Sequence, residues 1–255
     1  MNVTRVSKTT IDKGFLDRTI EKSDIERDKL PENLTEALIV YIARVSSSRE
    51  NKWEDHHKLI RYLIENAHWS PFEHAFATYE IETSRAIGRQ LLRHRSFTFQ
   101  EFSQRYSSDI EFEDVEFREQ PDQNRQSSKD SLGWAARKYL MEDHTDKQWS
   151  TRSFHHSDNS RQEDGMTEAV RALQKVENAY RKLVDSGVAS ETARMILPEC
   201  TQTTIYMTGS LRSWIHFLDL RDDNASQKEI RKIASEIRKD VSNLFPNVAK
   251  AANLL

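Results

Sequence analysis

Apolar residues recur at helical spacing in several stretches of the chain and alternate with polar ones in others. Leu38, Ile39, Ile42 and Val45 mark a helix over 32–45, and Leu59, Ile60, Leu63 and Ile64 mark a second over 53–66. Val170, Leu173, Val176, Tyr180 and Leu183 form the stripe of a helix over 167–186, which Gly187 stops. Leu211, Trp214, Ile215 and Leu218 predict a buried face over 210–220. Ile230, Ile233, Ile237, Val241 and Leu244 do the same over 227–245, where Pro246 ends the run. Residues 76–83 alternate (Phe76, Thr78, Ile81, Thr83) and read as a strand, and 201–207 is rich in β-formers. Ser84 is placed to cap a helix running to Arg95, with Ile87, Leu91 and Leu92 inward and Gln90, Arg93 and His94 on another face. Ser190 is placed to cap a short helix that ends at Pro198. Residues 1–30 read as one strand and a loop, and Pro71 breaks 68–74 into a loop. The predicted fold class is α+β, or α/β layered: a small, mostly antiparallel sheet flanked by long helices, in a single domain over 1–255.

Composition adds an insertion. Only 36% of the 255 residues are hydrophobic and 31% are charged. Residues 111–165 account for much of that polarity, with many Asp, Glu, Gln, Ser, Arg and His and few aliphatics. A lid, an interface arm and a disordered insertion all fit this stretch, as does a short anchoring helix around Trp134–Met141. A net charge of −3 argues against nucleic-acid binding by bulk charge, so positive charge that matters must be local. The longest apolar run, Ala37–Ala43, is too short for a membrane span, and no signal-peptide core opens the sequence. A single cysteine, Cys200, forbids an internal disulfide. A cytoplasmic protein with no membrane partner is the expectation.

The local charge lies in Arg93-His94-Arg95, followed after seven residues by Ser103 and then Arg105. Three adjacent side chains here can all be cationic. Guanidinium groups fork onto phosphate oxygens, and a positive histidine adds to them. One arginine at a helix end is ordinary. Six polar residues together (Arg93, His94, Arg95, Glu101, Ser103 and Arg105) point to a site for an anionic ligand. Phe97, Phe99 and Phe102 fit stacking on a base or flavin and packing into a core equally well. The pairs His56-His57 and His155-His156 lack the companions of a metal site, and no metal is expected. A binding module for nucleotides or nucleic acid, without chemistry, is the alternative to an enzyme.

The run from Arg93 to Tyr106 resembles the signature of the flavin-dependent thymidylate synthases. Three further blocks resemble that family, in the order it shows them: Ser70-Pro71-Phe72-Glu73-His74, Ala193–Pro198, and Ser210–Arg221 trailed by Gln227, Glu229 and Ile230. The resemblance implies conversion of dUMP to dTMP, with methylenetetrahydrofolate as one-carbon donor, NADPH as reductant and FAD carrying both. It also implies a homotetramer with shared active sites and no nucleic-acid partner. The other class of thymidylate synthase needs a cysteine nucleophile. Cys200 has no neighbouring His or Arg in sequence to activate it, which suits a cysteine-independent reaction.

By the same resemblance, Gln90, Arg93, Glu101, Phe102, Ser103, Gln104, Arg105, Arg194 and Arg221 contact dUMP, with Ser103 and Arg105 near its phosphate and Arg221 as the catalytic group at the uracil edge. FAD falls to His68, Ser70, Glu73, Arg93, His94, Arg95, Glu101, Ser210, Arg212 and His216. There is no Gly-x-Gly-x-x-Gly, so the flavin would not sit on a Rossmann turn. Thr98, Gln100, Ser210, His216 and Ala225 depart from the commonest family pattern, in polar or small exchanges that bear on individual FAD contacts. Ser103 is assigned to binding, since no general base accompanies it in the motif.

Overall fold

The computed structural model describes residues 1–23, 30–46, 56–122, 128–129, 131–135 and 160–255. The chain divides into two compact units: Met1–Glu82, Gln90–Gln100 and Ile205–Leu255 form the first, and Thr83–Arg89 with Glu101–Thr204 the second. Strands are β1 (Asn2–Lys8), β2 (Phe76–Ser84), β3 (Thr98–Glu101), β4 (Glu116–Arg118), β5 (Ser131–Ala135) and β6 (Gln202–Ser210). Helices are α1 (Lys13–Ser23), α2 (Leu34–Ala43), α3 (His56–Glu65), α4 (Arg85–Leu91), α5 (Ser160–Asp185), α6 (Ser190–Ala193), α7 (Leu211–Arg221), α8 (Lys228–Leu244) and α9 (Pro246–Ala251). The small sheet predicted from the sequence is present, in the order β1-β2-β6-β3. β1 runs antiparallel to β2, from Asn2 opposite Glu82 to Lys8 opposite Ala77. The hydroxyls of Thr78 and Thr208 meet at 2.9 Å, and that of Tyr206 donates to Glu80, so β2 and β6 are antiparallel as well.

In the first unit, α7 lays Trp214, Phe217 and Leu218 beneath the sheet, and α8 covers them with Ile230, Ile233, Ile237 and Val241. Ser210 caps α7 by accepting from Ser213 N–H, the placement a serine at that boundary favours. Phe97 fits edge-on to Trp214 (4.6 Å) and Phe217 (6.0 Å), and it sits directly on Gly209. A Cβ on Gly209 would come within 2.4 Å of the Phe97 ring, so only glycine lets that ring close over β6. Glu36 on α2 is fully buried, and its carboxylate accepts from Val248 N–H (2.9 Å) and Asn247 Nδ2 (2.7 Å), tying α2 to α9. Burial pushes its pKa up, while the hydrogen bonds oppose the rise. In the second unit, Tyr180, Ala193 and Ile110 make a separate small core with Phe112, Leu183 and Leu197.

Several sequence expectations change. Residues 13–23 form a helix rather than part of a loop, started by Asp12, whose carboxylate accepts from Phe15 N–H at 2.9 Å. The helix after β2 stops at Leu91, not Arg95, and Arg93 to Ser96 follow it in turns. Leu92 is therefore exposed. The first two amides of α4 go to Thr201 O and Glu199 O, so backbone carbonyls do the capping expected of Ser84. Ser190 is the first residue of α6, and Ala189 holds the cap position. Val45 is exposed, β6 extends to Ser210, and Pro246 opens α9 as it ends α8. Residues 70–74 close into a 3-10 turn with Pro71 at its start. Trp134 lies in β5 instead of a helix. The expected helix start at Trp53, His155-His156 and most of 123–159 lie outside the described residues. The stop at Gly187 stands: it has φ +86°, and Gly187 N–H to Val184 O with Val188 N–H to Leu183 O ends α5.

Gly209→Ala should lower stability by about 1–3 kcal/mol, because Phe97 must leave its place. Chemical denaturation measures this; an unchanged midpoint would mean the aromatic cluster absorbs a methyl group freely.

Candidate functional site

The Arg-His-Arg segment is shaped by the end of α4. His94 N–H bonds Leu91 O and Phe97 N–H bonds His94 O, which turns the chain twice before β3. Arg93 and Arg95 are left exposed while His94 turns inward. The His94 ring packs edge-on against Phe217 (5.0 Å) and Phe97 (6.3 Å). Arg221, the last residue of α7, donates its Nε–H to His94 Nε2 at 2.8 Å. An imidazolium has no lone pair to accept this bond, so His94 is neutral with its proton on Nδ1. Burial, then the positive charge of Arg221, then His216 push its pKa down to about 4. The three adjacent cations expected from the sequence are thus two cations flanking a neutral acceptor.

Arg221 is a cation in an unfavourable place. Burial lowers its pKa and the neighbouring Arg93 lowers it further. Its Nε is taken by His94, and among the described residues both terminal amino groups of the fork are left available. Arg93 and Arg95 form no ion pair among the described residues. A half-buried guanidinium beside a second unneutralised one is a configuration that an anion or a polarisable, electron-rich ring stabilises. Gln90 sits nearby in sequence, and its Nε2 donates to Gln227 Oε1 at 2.7 Å.

A second group belongs to the same unit. Glu73, in the 3-10 turn at Ser70–His74, accepts from Ser210 Oγ (2.5 Å) and from Arg212 Nη1 (2.7 Å). Partial burial raises the Glu73 pKa, but the bonds from Ser210 and Arg212 outweigh it and hold the carboxylate below the usual range. Arg212 and His216 lie on one face of α7 and line a cavity of about 560 Å³ with Trp69, Ser96, Asp219 and Asn253. His68 packs edge-on to Tyr62 (5.9 Å), and Ser70 is exposed at the start of the turn.

The second unit holds the remaining predicted residues. Glu101 accepts from Thr203 Oγ1 (2.9 Å), and Phe102 N–H bonds Thr204 O (2.8 Å), which seats the end of β3 against β6. Ser103 Oγ accepts from Arg105 N–H (3.4 Å), and Tyr106 N–H returns to Ser103 O. Phe102 is exposed, while Phe97 is core. Gln104 is buried, with its Oε1 on Arg85 Nη1. Arg105 and Arg194 share Glu191: its carboxylate lies 3.8 Å from Arg105, and its carbonyl accepts from Arg194 Nε. Only Arg105 faces the carboxylate, while Arg194 meets a neutral carbonyl and keeps its charge uncompensated by that contact. Thr203 and Arg85 escape the sequence reading, because their partners Glu101 and Gln104 lie 102 and 19 positions away.

Cys200 is half-buried. Burial first, and Glu113 after it, raise its pKa, so the thiol stays protonated at neutral pH. Among the described residues no group of three His, Cys, Asp or Glu side chains could hold a metal ion, and no helix is long and apolar enough to cross a membrane.

His94 gives a pH signature. Its folded pKa lies below its unfolded value of 6.5, so its contribution to stability is complete above about pH 6.5 and is lost as pH falls toward about 4. Wild type should lose denaturant stability across that window more steeply than His94→Asn, which keeps an acceptor without titrating. Parallel pH profiles would contradict a neutral His94.

A family model described as thymidylate synthase complementing protein matches residues 30–247. A flavin-dependent thymidylate synthase from Synechocystis is 41% identical over 216 residues, covering 85% of this chain and 88% of the relative. One from Thermus thermophilus is 32% identical over 243 residues, covering 92% and 74%. Among solved structures, a UMP/dUMP methylase from Streptomyces cacaoi bound with 5-Br dUMP superposes with a TM-score of 0.67 at 25% identity, covering 98% of this chain and 93% of that one. With a turn that presents arginines, a loop that offers a serine hydroxyl and amides, and relatives this similar along most of its length, the chain belongs to the family of flavin-dependent thymidylate synthases.

Proposed function

We propose that the protein methylates dUMP to dTMP reductively, with FAD as cofactor, methylenetetrahydrofolate as one-carbon donor and NADPH as reductant, and without a cysteine nucleophile. The observation that carries the mechanism is the Arg221–His94 bond. It fixes the guanidinium through Nε and leaves its two terminal amino groups to fork onto a planar acceptor edge. Placed against the N3 edge of uracil, such a fork stabilises negative charge on the ring and makes C5 more nucleophilic. No covalent enzyme adduct is then needed, which agrees with the protonated thiol of Cys200. Ser103 touches no side-chain base among the described residues, which supports a binding role for it.

Gln90, Arg93 and Arg221 address the base, and Glu101–Arg105 with Arg194 hold the sugar and phosphate. In the homotetramer that the family resemblance implies, residues of several protomers complete each site. FAD carries a dianionic pyrophosphate and a hydrogen-bonding ring edge. Arg93 and Arg95, unpaired among the described residues, suit the first, and the ordered set Glu73, Ser210 and Arg212 with His216 suits the second. When bound, FAD supplies the redox chemistry that joins reductant, folate and nucleotide. Glu73 orients Arg212 and Ser210, and the aromatic packing of His94 keeps Arg221 in register.

The purified protein should carry flavin absorbance, bleach with NADPH, and form dTMP from dUMP and methylenetetrahydrofolate. A colourless protein that binds oligonucleotides with a steep salt dependence would contradict this reading. Arg221→Ala should lower dTMP formation by at least about 100-fold while flavin content persists, since a preorganised charge at the reacting ring is lost. Cys200→Ala should keep activity within about twofold of wild type; an inactive variant would overturn the cysteine-independent route.

A further inference from the structure

We propose that Arg85 is a positioning residue for the nucleotide-holding loop, acting through the buried side chain of Gln104. The inference rests on the reading that Glu101–Arg105 holds dUMP. Arg85 Nη1 donates to Gln104 Oε1 at 2.6 Å, and Gln104 is only 3% exposed. Gln104 lies between Ser103 and Arg105, the two residues assigned to the phosphate. With its side chain drawn inward, the flanking pair is left to face outward. A buried amide carbonyl without a donor is strongly unfavourable, so Arg85 fixes the rotamer of Gln104 and with it the backbone of the loop.

Arg85 is itself firmly placed. Its N–H bonds Thr201 O at 2.9 Å, and it opens α4. A cation in the first turn of a helix opposes the helix dipole, so its presence there calls for a partner, and the Gln104 carbonyl is that partner. Among the described residues the loop has two other side-chain ties from outside: Thr203 Oγ1 on Glu101 at its start (2.9 Å), and the Arg105–Glu191 pair at 3.8 Å, which is long and exposed. Arg105 must turn from Glu191 toward a phosphate, whereas the Arg85–Gln104 bond is short, part-buried and made away from the phosphate-binding groups, so it persists with nucleotide bound. Arg85 therefore holds the loop in its binding shape without touching substrate.

The test is a double-mutant cycle in the full-length enzyme, read by dUMP calorimetry, by KM and kcat for dTMP formation, and by flavin content. Arg85→Met, which keeps the length of the side chain, should raise the Kd and KM for dUMP about tenfold, with kcat within about twofold and flavin content unchanged. Gln104→Leu should also raise the KM for dUMP, and the double variant should be no worse than the weaker-binding single one. Arg85→Lys, which keeps a cationic donor, should recover most of the affinity. Unchanged dUMP affinity in both single variants, or fully additive losses, would overturn the brace. If Arg85→Met does not fold, Arg85→Gln, which removes the guanidinium and leaves every dUMP-binding residue in place, decides instead: raised KM supports the brace and wild-type KM refutes it. A wild-type enzyme that forms no dTMP refutes the proposed function; wild-type dTMP formation with unaltered dUMP affinity in the variants refutes only the brace.

Discussion

A site for an anionic nucleotide and an anionic cofactor must gather cations, and cations repel. The first unit answers this with one neutral imidazole. His94 stands between Arg93 and Arg95 in sequence and accepts a hydrogen bond from Arg221 in space. Were it charged, it would add a third positive group to Arg93 and Arg221, where burial and then the charge of Arg93 already depress the Arg221 pKa. Neutral, it converts a repulsive neighbour into an anchor. The aromatic rings of Phe97 and Phe217 enforce that state by removing the imidazole from water.

The requirement reaches into the core. The ring of Phe97, which packs edge-on to His94, closes over β6 only because residue 209 has no side chain. Ser210, one residue on, caps α7 and accepts its place beside Glu73, so the same stretch starts the helix that carries Arg212, His216 and Arg221. Packing, capping and charge placement are here a single arrangement. The second unit follows a parallel logic: its loop from Glu101 to Arg105 is tied by hydrogen bonds from the Thr203 hydroxyl and the Arg85 guanidinium and to the Thr204 carbonyl, groups that supply order to the loop.

The helices of the first unit were legible in the sequence because their burial has a period. Ile230, Ile233, Ile237 and Val241 announce α8, and all four are buried. The strand at Phe76–Ser84 announces itself by alternation. The end of α4 was not legible. No glycine or proline marks Leu91, and the chain turns there because tertiary packing captures Phe97. α1 was missed because its stripe is weak, although Asp12 ahead of Phe15 carries a capping signal. The blocks that resemble the family named the candidate residues. They did not give the charge of His94, which depends on Arg221, 127 positions away. Nor did they give the inward turn of Gln104, which depends on a partner 19 positions away.

The central claim is that His94 is a neutral acceptor that orients Arg221. The most direct measurement is the ring-nitrogen NMR spectrum of the protein labelled with ¹⁵N-histidine, followed through a pH titration and assigned with His94→Asn. The account predicts one protonated nitrogen, Nδ1, and one unprotonated nitrogen, Nε2, at neutral pH, with the second proton added only near pH 4. A His94 ring protonated on both nitrogens at neutral pH, or carrying its single proton on Nε2, would contradict it.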